Sequence, residues 1–185
     1  MKVVAFVGSP RKNGNTDVLV QQVLDGAVEA GADVEKFYIN DMDFKGCQGC
    51  GYCRNTEICK LDDDMTKAYD AIKNADGVVF GSPIYFFQMT GQMRLFLDRC
   101  YALLNNDHTP RIDSGKKAVI VGAQGAPDAA AFTGVYEEFS NVLKQFMGMD
   151  VKDTIVDVGH HAPGEAKENT ELMEQAKSAG INLFE

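Results

Sequence analysis

No segment of this 185-residue chain approaches the roughly 18 consecutive apolar residues needed to cross a bilayer, so no membrane helix is expected. Positive charge is also in short supply: 18 lysines and arginines stand against 27 aspartates and glutamates, for a formal net charge of −9. With no basic stripe to displace counterions, nucleic acid is not an expected partner. One loop can still be locally positive, so the acidic balance leaves phosphate binding open. Nothing resembling a secretory leader precedes the first apolar run at Val3, which makes the cytoplasm the expected compartment. Internal repeats, low-complexity tracts and linkers are absent as well, and 45% hydrophobic residues supply a substantial core. Residues 1–185 are therefore read as one domain.

The strongest positive signal stands at the start. The apolar run Val3–Val7 leads into Gly8-Ser9-Pro10-Arg11-Lys12-Asn13-Gly14-Asn15-Thr16, and a helical pattern follows at once. A helix N-terminus offers unpaired backbone N–H groups and the positive end of the helix dipole, which suits a phosphate dianion. Gly8 and Gly14 let the backbone curl around an anion. Ser9, Asn13, Asn15 and Thr16 add neutral donors, and Arg11 or Lys12 adds charge. Asn15 stands where a nucleotide triphosphatase loop has its lysine, and the G-x-G-x-x-G of dinucleotide sites is missing. The plain alternative is a strand-to-helix turn capped by Asn15 or Thr16.

Beyond this loop the chain alternates. Val3–Val7, Asp33–Ile39, Gly77–Phe80, Ala118–Gly122 and Val151–Val158 read as strands. Asp17–Ala30, Asp64–Asn74, Gly91–Leu104, Thr133–Met147 and Glu165–Ala179 read as helices, the first with Val18, Leu19, Val23, Leu24 and Val28 on its apolar face. A cysteine-bearing loop of about residues 40–62 follows the second strand. Such alternation predicts an α/β fold, a doubly wound five-stranded parallel sheet with helices on both faces.

Ligands of such sheets bind beyond the carboxyl ends of the strands, where the strand order switches. The loop after the third strand, Gly81-Ser82-Pro83-Ile84-Tyr85-Phe86-Phe87-Gln88-Met89, is aromatic and apolar where loops are usually polar. It is expected to cover a planar ligand, a neighbouring subunit, or both, unless it folds inward as core. After the fourth strand, Gln124-Gly125-Ala126-Pro127 permits close backbone approach. A phosphate site beside a flat apolar slot fits a mononucleotide with a large ring, such as flavin mononucleotide (FMN).

GSPRKNGNT after the first strand and GSPIYFFQMTGQMRLFLDR after the third resemble the NADPH-dependent FMN reductase family of flavodoxin-like proteins. The resemblance implies that Ser9, Arg11, Asn13, Gly14, Asn15 and Thr16 hold the phosphate. It also implies that Pro83, Ile84, Tyr85 and Phe86 lie against the isoalloxazine, with Gln124 and Gly125 closing over it. No catalytic side chain is expected, because flavin chemistry needs orientation, exclusion of water and stabilisation of charge at N1/O2.

Four of the 5 cysteines form Cys47-x2-Cys50-x2-Cys53-x5-Cys59 with Gly46, Gly49 and Gly51 interleaved. This looks like the compact motif of iron–sulfur flavoproteins, a branch of the same family that carries a [4Fe–4S] cluster. Two-residue gaps bring successive sulfurs to one side of a turn. Free or redox-active thiols, a four-cysteine zinc site and a disulfide remain alternatives. Cys100 is expected in the core, within a helix beside Leu97, Tyr101 and Leu104.

Asp62-Asp63-Asp64 precedes a helix and reads as a cap rather than a metal site. The adjacent His160 and His161 lie near the ligand edge but lack an evident third metal ligand. The resemblance implies an oxidoreductase that passes electrons from NAD(P)H or ferredoxin to a small-molecule or protein acceptor, with the cluster as a one-electron relay. A non-catalytic FMN electron carrier, a cluster-free NAD(P)H-dependent FMN reductase and a zinc-stabilised interaction domain are the alternatives. A homodimer or homotetramer is expected, with Ile84–Met89 near the interface.

Overall fold

A computed structural model describes residues 1–185. Its strands are β1 Lys2–Val7, β2 Asp33–Tyr38, β3 Gly77–Tyr85, β4 Gln88–Met89, β5 Lys117–Gln124 and β6 Asp150–Val158. Its helices are α1 Asn15–Glu29, α2 Tyr52–Thr56, α3 Met65–Asn74, α4 Gly91–Arg99, α5 Thr133–Met147 and α6 Thr170–Ile181. The main ladder runs β2-β1-β3-β5-β6 and is parallel throughout, while β4 pairs antiparallel with the end of β3. The chain leaves β1 outward to β2 and then crosses to β3 on the other side of β1. The order therefore switches between β1 and β3, as in flavodoxin-like sheets.

Alternation along β1 builds both cores. Val3, Ala5 and Val7 face the layer of α1 and α6, while Val4 and Phe6 face that of α3, α4 and α5. Phe6 stacks on Phe37 and meets Phe96 at 4.6 Å between ring centroids. Two glycines set how closely α1 and α6 approach. A Cβ on Gly26 would stand 2.1 Å from the carbonyl oxygen of Lys177, and one on Gly180 would stand 1.9 Å from that of Val23. Only backbone without a side chain fits at this crossing.

Several boundaries differ from the expected ones. The expected five-stranded sheet gains β4, because β3 continues through Ser82-Pro83-Ile84-Tyr85 before folding back. Val28 is 51% exposed: the buried stripe of α1 passes through Ala27 instead. The helix expected to reach Leu104 ends at Arg99, and Cys100–Leu103 tighten into a 3₁₀ turn. Glu165–Glu168 form a separate 3₁₀ turn, and α6 starts afresh where the Asn169 side chain accepts the Leu172 N–H at 3.1 Å. Asp64 holds the cap position of α3 without a capping side-chain bond, its carboxylate accepting instead from the Asp43 N–H at 2.8 Å and Lys67 at 3.0 Å. No helix is long and apolar enough to cross a membrane.

Candidate functional site

The loop after β1 is locked to the end of β3. The Gly8 N–H donates to the Gly81 carbonyl at 2.7 Å, and the buried Thr90 hydroxyl donates to the Gly8 carbonyl at 2.8 Å. A Cβ on Gly8 would fall 2.8 Å from the Met93 Cβ, so close approach requires the glycine. Ser9 is buried and its Oγ accepts the Arg11 N–H at 3.2 Å, while the Gly14 N–H donates to the Arg11 carbonyl at 3.1 Å. Asn13 takes a left-handed φ of 59°, held by its N–H donating to Asp17 Oδ2 at 2.7 Å. Asp17 was not singled out by the sequence, yet it organises the loop, also accepting from Lys36 at 2.9 Å and Tyr38 at 3.2 Å. Its signal was an acid in the first turn of α1, which reads equally as a dipole complement.

Thr16 is buried, and no side chain caps α1. The Asn15 side-chain Oδ1 accepts the Ala166 N–H at 3.2 Å. Lys12 pairs with Asp41 at 2.6 Å, which leaves Arg11 as the loop's cation without a carboxylate partner. Arg11 Nη1 donates to the His161 carbonyl at 3.2 Å.

The aromatic segment after β3 is a hairpin and not a free loop. Pro83 pairs with Ala123 in the sheet, Ile84 is half-buried and Met89 is buried. Phe86 and Phe87 form the tip, 96% and 71% exposed, with φ of 45° and 66°. Tight hairpins want Asn-Gly at such positions; bulky aromatics there store backbone strain of order 1–3 kcal/mol per residue. Tyr85 is also exposed, so the apolar display is concentrated at residues 85–87.

At the end of β5, Gln124 is buried and its Nε2 donates to the Asp128 carbonyl at 2.8 Å, while its Oε1 has no partner. A Cβ on Gly125 would lie 2.5 Å from His161 Cε1. The strands β1, β3 and β5 are neighbours, so these three segments converge at one edge of the sheet. His161, dismissed as a metal ligand, bridges two of them through its ring on Gly125 and its carbonyl on Arg11.

His160 turns the other way, its Nδ1 meeting Asp157 Oδ1 at 2.6 Å. The bond to Asp157 raises the His160 imidazolium above the usual histidine range, and burial pushes the Asp157 carboxyl up. A raised histidine pKa contributes stability that is complete below the unfolded value of about 6.5 and lost as pH rises through the folded value. His160→Gln is therefore expected to destabilise the protein at about pH 5.5 and to match it at about pH 9. Urea unfolding at both pH values checks this.

The four clustered cysteines lie apart from the phosphate loop. They line a cavity of about 1020 Å³ together with residues of α4 and α5, including Leu97, Val142 and Phe146. Gly49 and Gly51 have φ of 62° and 68°, turning the backbone between the cysteines. Cys47 and Cys50 are exposed, Cys53 and Cys59 half-buried, and none is paired in a disulfide. No three potential ligands stand together in metal-binding geometry. Burial, then the neighbouring Cys59, pushes the Cys53 thiol up. Cys100 is core as expected, its thiol pushed up to about 12 by burial.

A model of the NADPH-dependent FMN reductase family matches residues 1–162. The chain belongs to this family. Among relatives of this FMN reductase-family chain, an iron–sulfur flavoprotein of Methanocaldococcus jannaschii is 36% identical over 99 residues, covering 54% of this chain and 51% of that protein. An iron–sulfur flavoprotein of Archaeoglobus fulgidus is 33% identical over 133 residues, covering 71% and 59%. The matches thus span little more than half the length of these two relatives. A putative NAD(P)H-dependent FMN-containing oxidoreductase of Bacillus subtilis is 26% identical over 179 residues, covering 95% and 94%. An NAD(P)H:quinone oxidoreductase from Methanothermobacter marburgensis superposes with a TM-score of 0.77 over 100% of this chain and 98% of that one. At 21% identity that likeness concerns the fold.

Proposed function

We propose that this chain is an FMN-dependent oxidoreductase that accepts electrons from NAD(P)H and delivers them to a small-molecule or protein acceptor. One observation carries the reading: Ser9 and Thr16, both buried residues with hydroxyl side chains, flank an α1 start that no side chain caps, at the switch in strand order. The donor set fits a terminal phosphate, with Arg11, Asn13, Gly14 and Asn15 completing the cradle. The unpartnered Gln124 Oε1 beside Gly125, and the face made by Pro83, Ile84, Tyr85 and Phe86, fit the edge and plane of a flavin ring. The flavin supplies hydride and single-electron chemistry when bound. The chain's residues bind and orient it, and the hairpin keeps water from one side. Bleaching of a bound yellow flavin by NADPH, followed by turnover with a quinone or ferricyanide, tests this. A flavin reduced only by another redox protein would indicate a non-catalytic carrier, and a colourless protein that rejects FMN would exclude both.

The iron–sulfur flavoprotein relatives and the shared cavity favour a further component. Cys47, Cys50, Cys53 and Cys59 fit a [4Fe–4S] cluster in ligand chemistry and in spacing along one cavity-lining loop, and that loop has to draw their sulfurs together for the cluster to form. Ferredoxin then becomes a competent donor. Anaerobic reconstitution should load close to four irons and four sulfides per chain, as the cluster type demands, and Cys100→Ser should leave that content unchanged. Cys53→Ser should lose the cluster yet keep FMN, since the flavin segments lie elsewhere. Iron and sulfide assays on flavin-loaded protein decide it. Failure to incorporate either leaves a cluster-free FMN reductase.

The exposed Tyr85-Phe86-Phe87 tip supports assembly into a homodimer or homotetramer around the hairpin. Sedimentation should show an oligomer that Phe86→Asp disrupts. A flavin-loaded monomer at micromolar concentration would contradict it.

A further inference from the structure

We propose that Arg99, paired with Asp63, is the positioning residue of the cysteine loop, closing it at both ends and fixing the charge beside its sulfurs. The charge argument rests on the cluster reading; the anchoring argument rests on the loop alone.

Arg99 ends α4, and its side chain is 1% exposed. Burying a guanidinium is costly unless it is paired and hydrogen-bonded, so its partners reveal its task. Nη1 donates to the Lys45 carbonyl at 2.6 Å, just before Cys47. Nη1 and Nη2 grip Asp63 Oδ2 and Oδ1 at 2.7 and 2.9 Å, just after Cys59. This two-pronged geometry is the strongest a guanidinium makes with a carboxylate. One buried side chain thus holds both limbs of the segment that carries Cys47, Cys50, Cys53 and Cys59. Arg111 pins its middle, donating from Nη1 to the Cys53 carbonyl at 2.8 Å and to the Ala102 carbonyl at 3.1 Å. The end of α4 is steadied in turn by the Tyr69 hydroxyl, which donates to the Arg99 carbonyl at 3.0 Å.

Arg99 also lines the cavity that the four cysteines share, and its Nε is buried without a partner. The loop's rigidity and the net charge beside its sulfurs therefore depend on the same ion pair. Charge and hydrogen bonding around the sulfurs are among the factors that set a cluster's reduction potential. A lost Arg99 leaves Asp63 unopposed, and a lost Asp63 leaves Arg99 unopposed. The two changes must move the potential in opposite directions, whereas loss of a purely structural contact would move it the same way in both.

The test compares the full chain with Arg99→Gln, Asp63→Asn and the double variant Arg99→Met/Asp63→Leu, which leaves neither charge unpaired. Metal-free proteins are treated with iodoacetamide, and each cysteine is mapped by mass. Alkylation of Cys53 and Cys59 should accelerate several-fold in Arg99→Gln and in the double variant while Cys100 stays protected. Reactive Cys100 in a single variant marks global unfolding, and the double variant then carries the comparison. Anaerobically reconstituted proteins are titrated potentiometrically. Arg99→Gln should shift the cluster potential negative and Asp63→Asn should shift it positive. Unchanged alkylation with Cys100 protected, or potential shifts of one sign, would overturn the proposal. If the parent chain takes up no iron and sulfide, the cluster reading fails by itself, and alkylation alone then decides the anchoring role.

Discussion

FMN should bind Asn13→Ala and Thr16→Ala about ten- to a hundredfold more weakly than the parent chain, and the double variant more weakly still. Each hydrogen bond to a charged phosphate is worth about 1.5–3 kcal/mol, which sets that range. Thr16 sits 2% exposed in the first turn of α1, and its hydroxyl makes no hydrogen bond within the chain, which leaves it available to a phosphate. Asn13 has its backbone N–H committed to Asp17, which holds the residue in a left-handed turn and leaves the side-chain amide available. Neither side chain carries a hydrogen bond that the fold depends on, so Thr16→Ala should hardly change thermal stability, whereas Asn13→Ala should cost about 1–2 kcal/mol by putting alanine in the left-handed region that asparagine tolerates. Quenching of flavin fluorescence during titration measures the affinity. Equal binding in both variants would show that the phosphate lies elsewhere.

Gly26→Ala and Gly180→Ala should each destabilise the protein by about 1–3 kcal/mol, the reverse of the usual helix effect. Replacing a mid-helix glycine with alanine ordinarily stabilises by about 0.8–1 kcal/mol through helix propensity. Here the added Cβ meets a carbonyl oxygen of the facing helix at 2.1 or 1.9 Å, and backbone cannot swing aside as a flexible side chain can. The helices α1 and α6 must separate, opening the core of Leu19, Val23, Leu172 and Ala176. Gly134→Ala in α5 is the control, because its Cβ meets nothing within 4 Å. Urea unfolding should give a lower midpoint for the first two variants and an unchanged or higher one for the third.

Much of this architecture was legible in the chain because its signals are local. Val3–Val7 is a short unbroken apolar run, rich in valine and bounded by glycine, as a strand buried on both faces carries, and the glycine-bearing loop behind it announced the helix start. The hairpin tip was not legible. Phe86-Phe87 carries none of the Asn-Gly chemistry that marks a tight turn, so the segment read as an extension of an irregular loop. The role of Asp63 was hidden for a different reason. Three adjacent aspartates before a helix look like dipole complements, and only the fold brings Arg99 within 2.7 Å of one of them. Long-range pairs of this kind leave no periodic trace. His161 illustrates the same point, since its contact with Gly125 joins segments that are distant in sequence.

The central claim is that the loop from Gly8 to Thr16 receives the phosphate of FMN. Calorimetric titration of flavin-free protein with FMN and with riboflavin, which lacks the phosphate, tests it most directly. FMN should bind at least about a hundredfold more tightly than riboflavin, as expected when two or more charge-assisted hydrogen bonds are at stake. Equal affinity for the two flavins, or binding of neither, would contradict it.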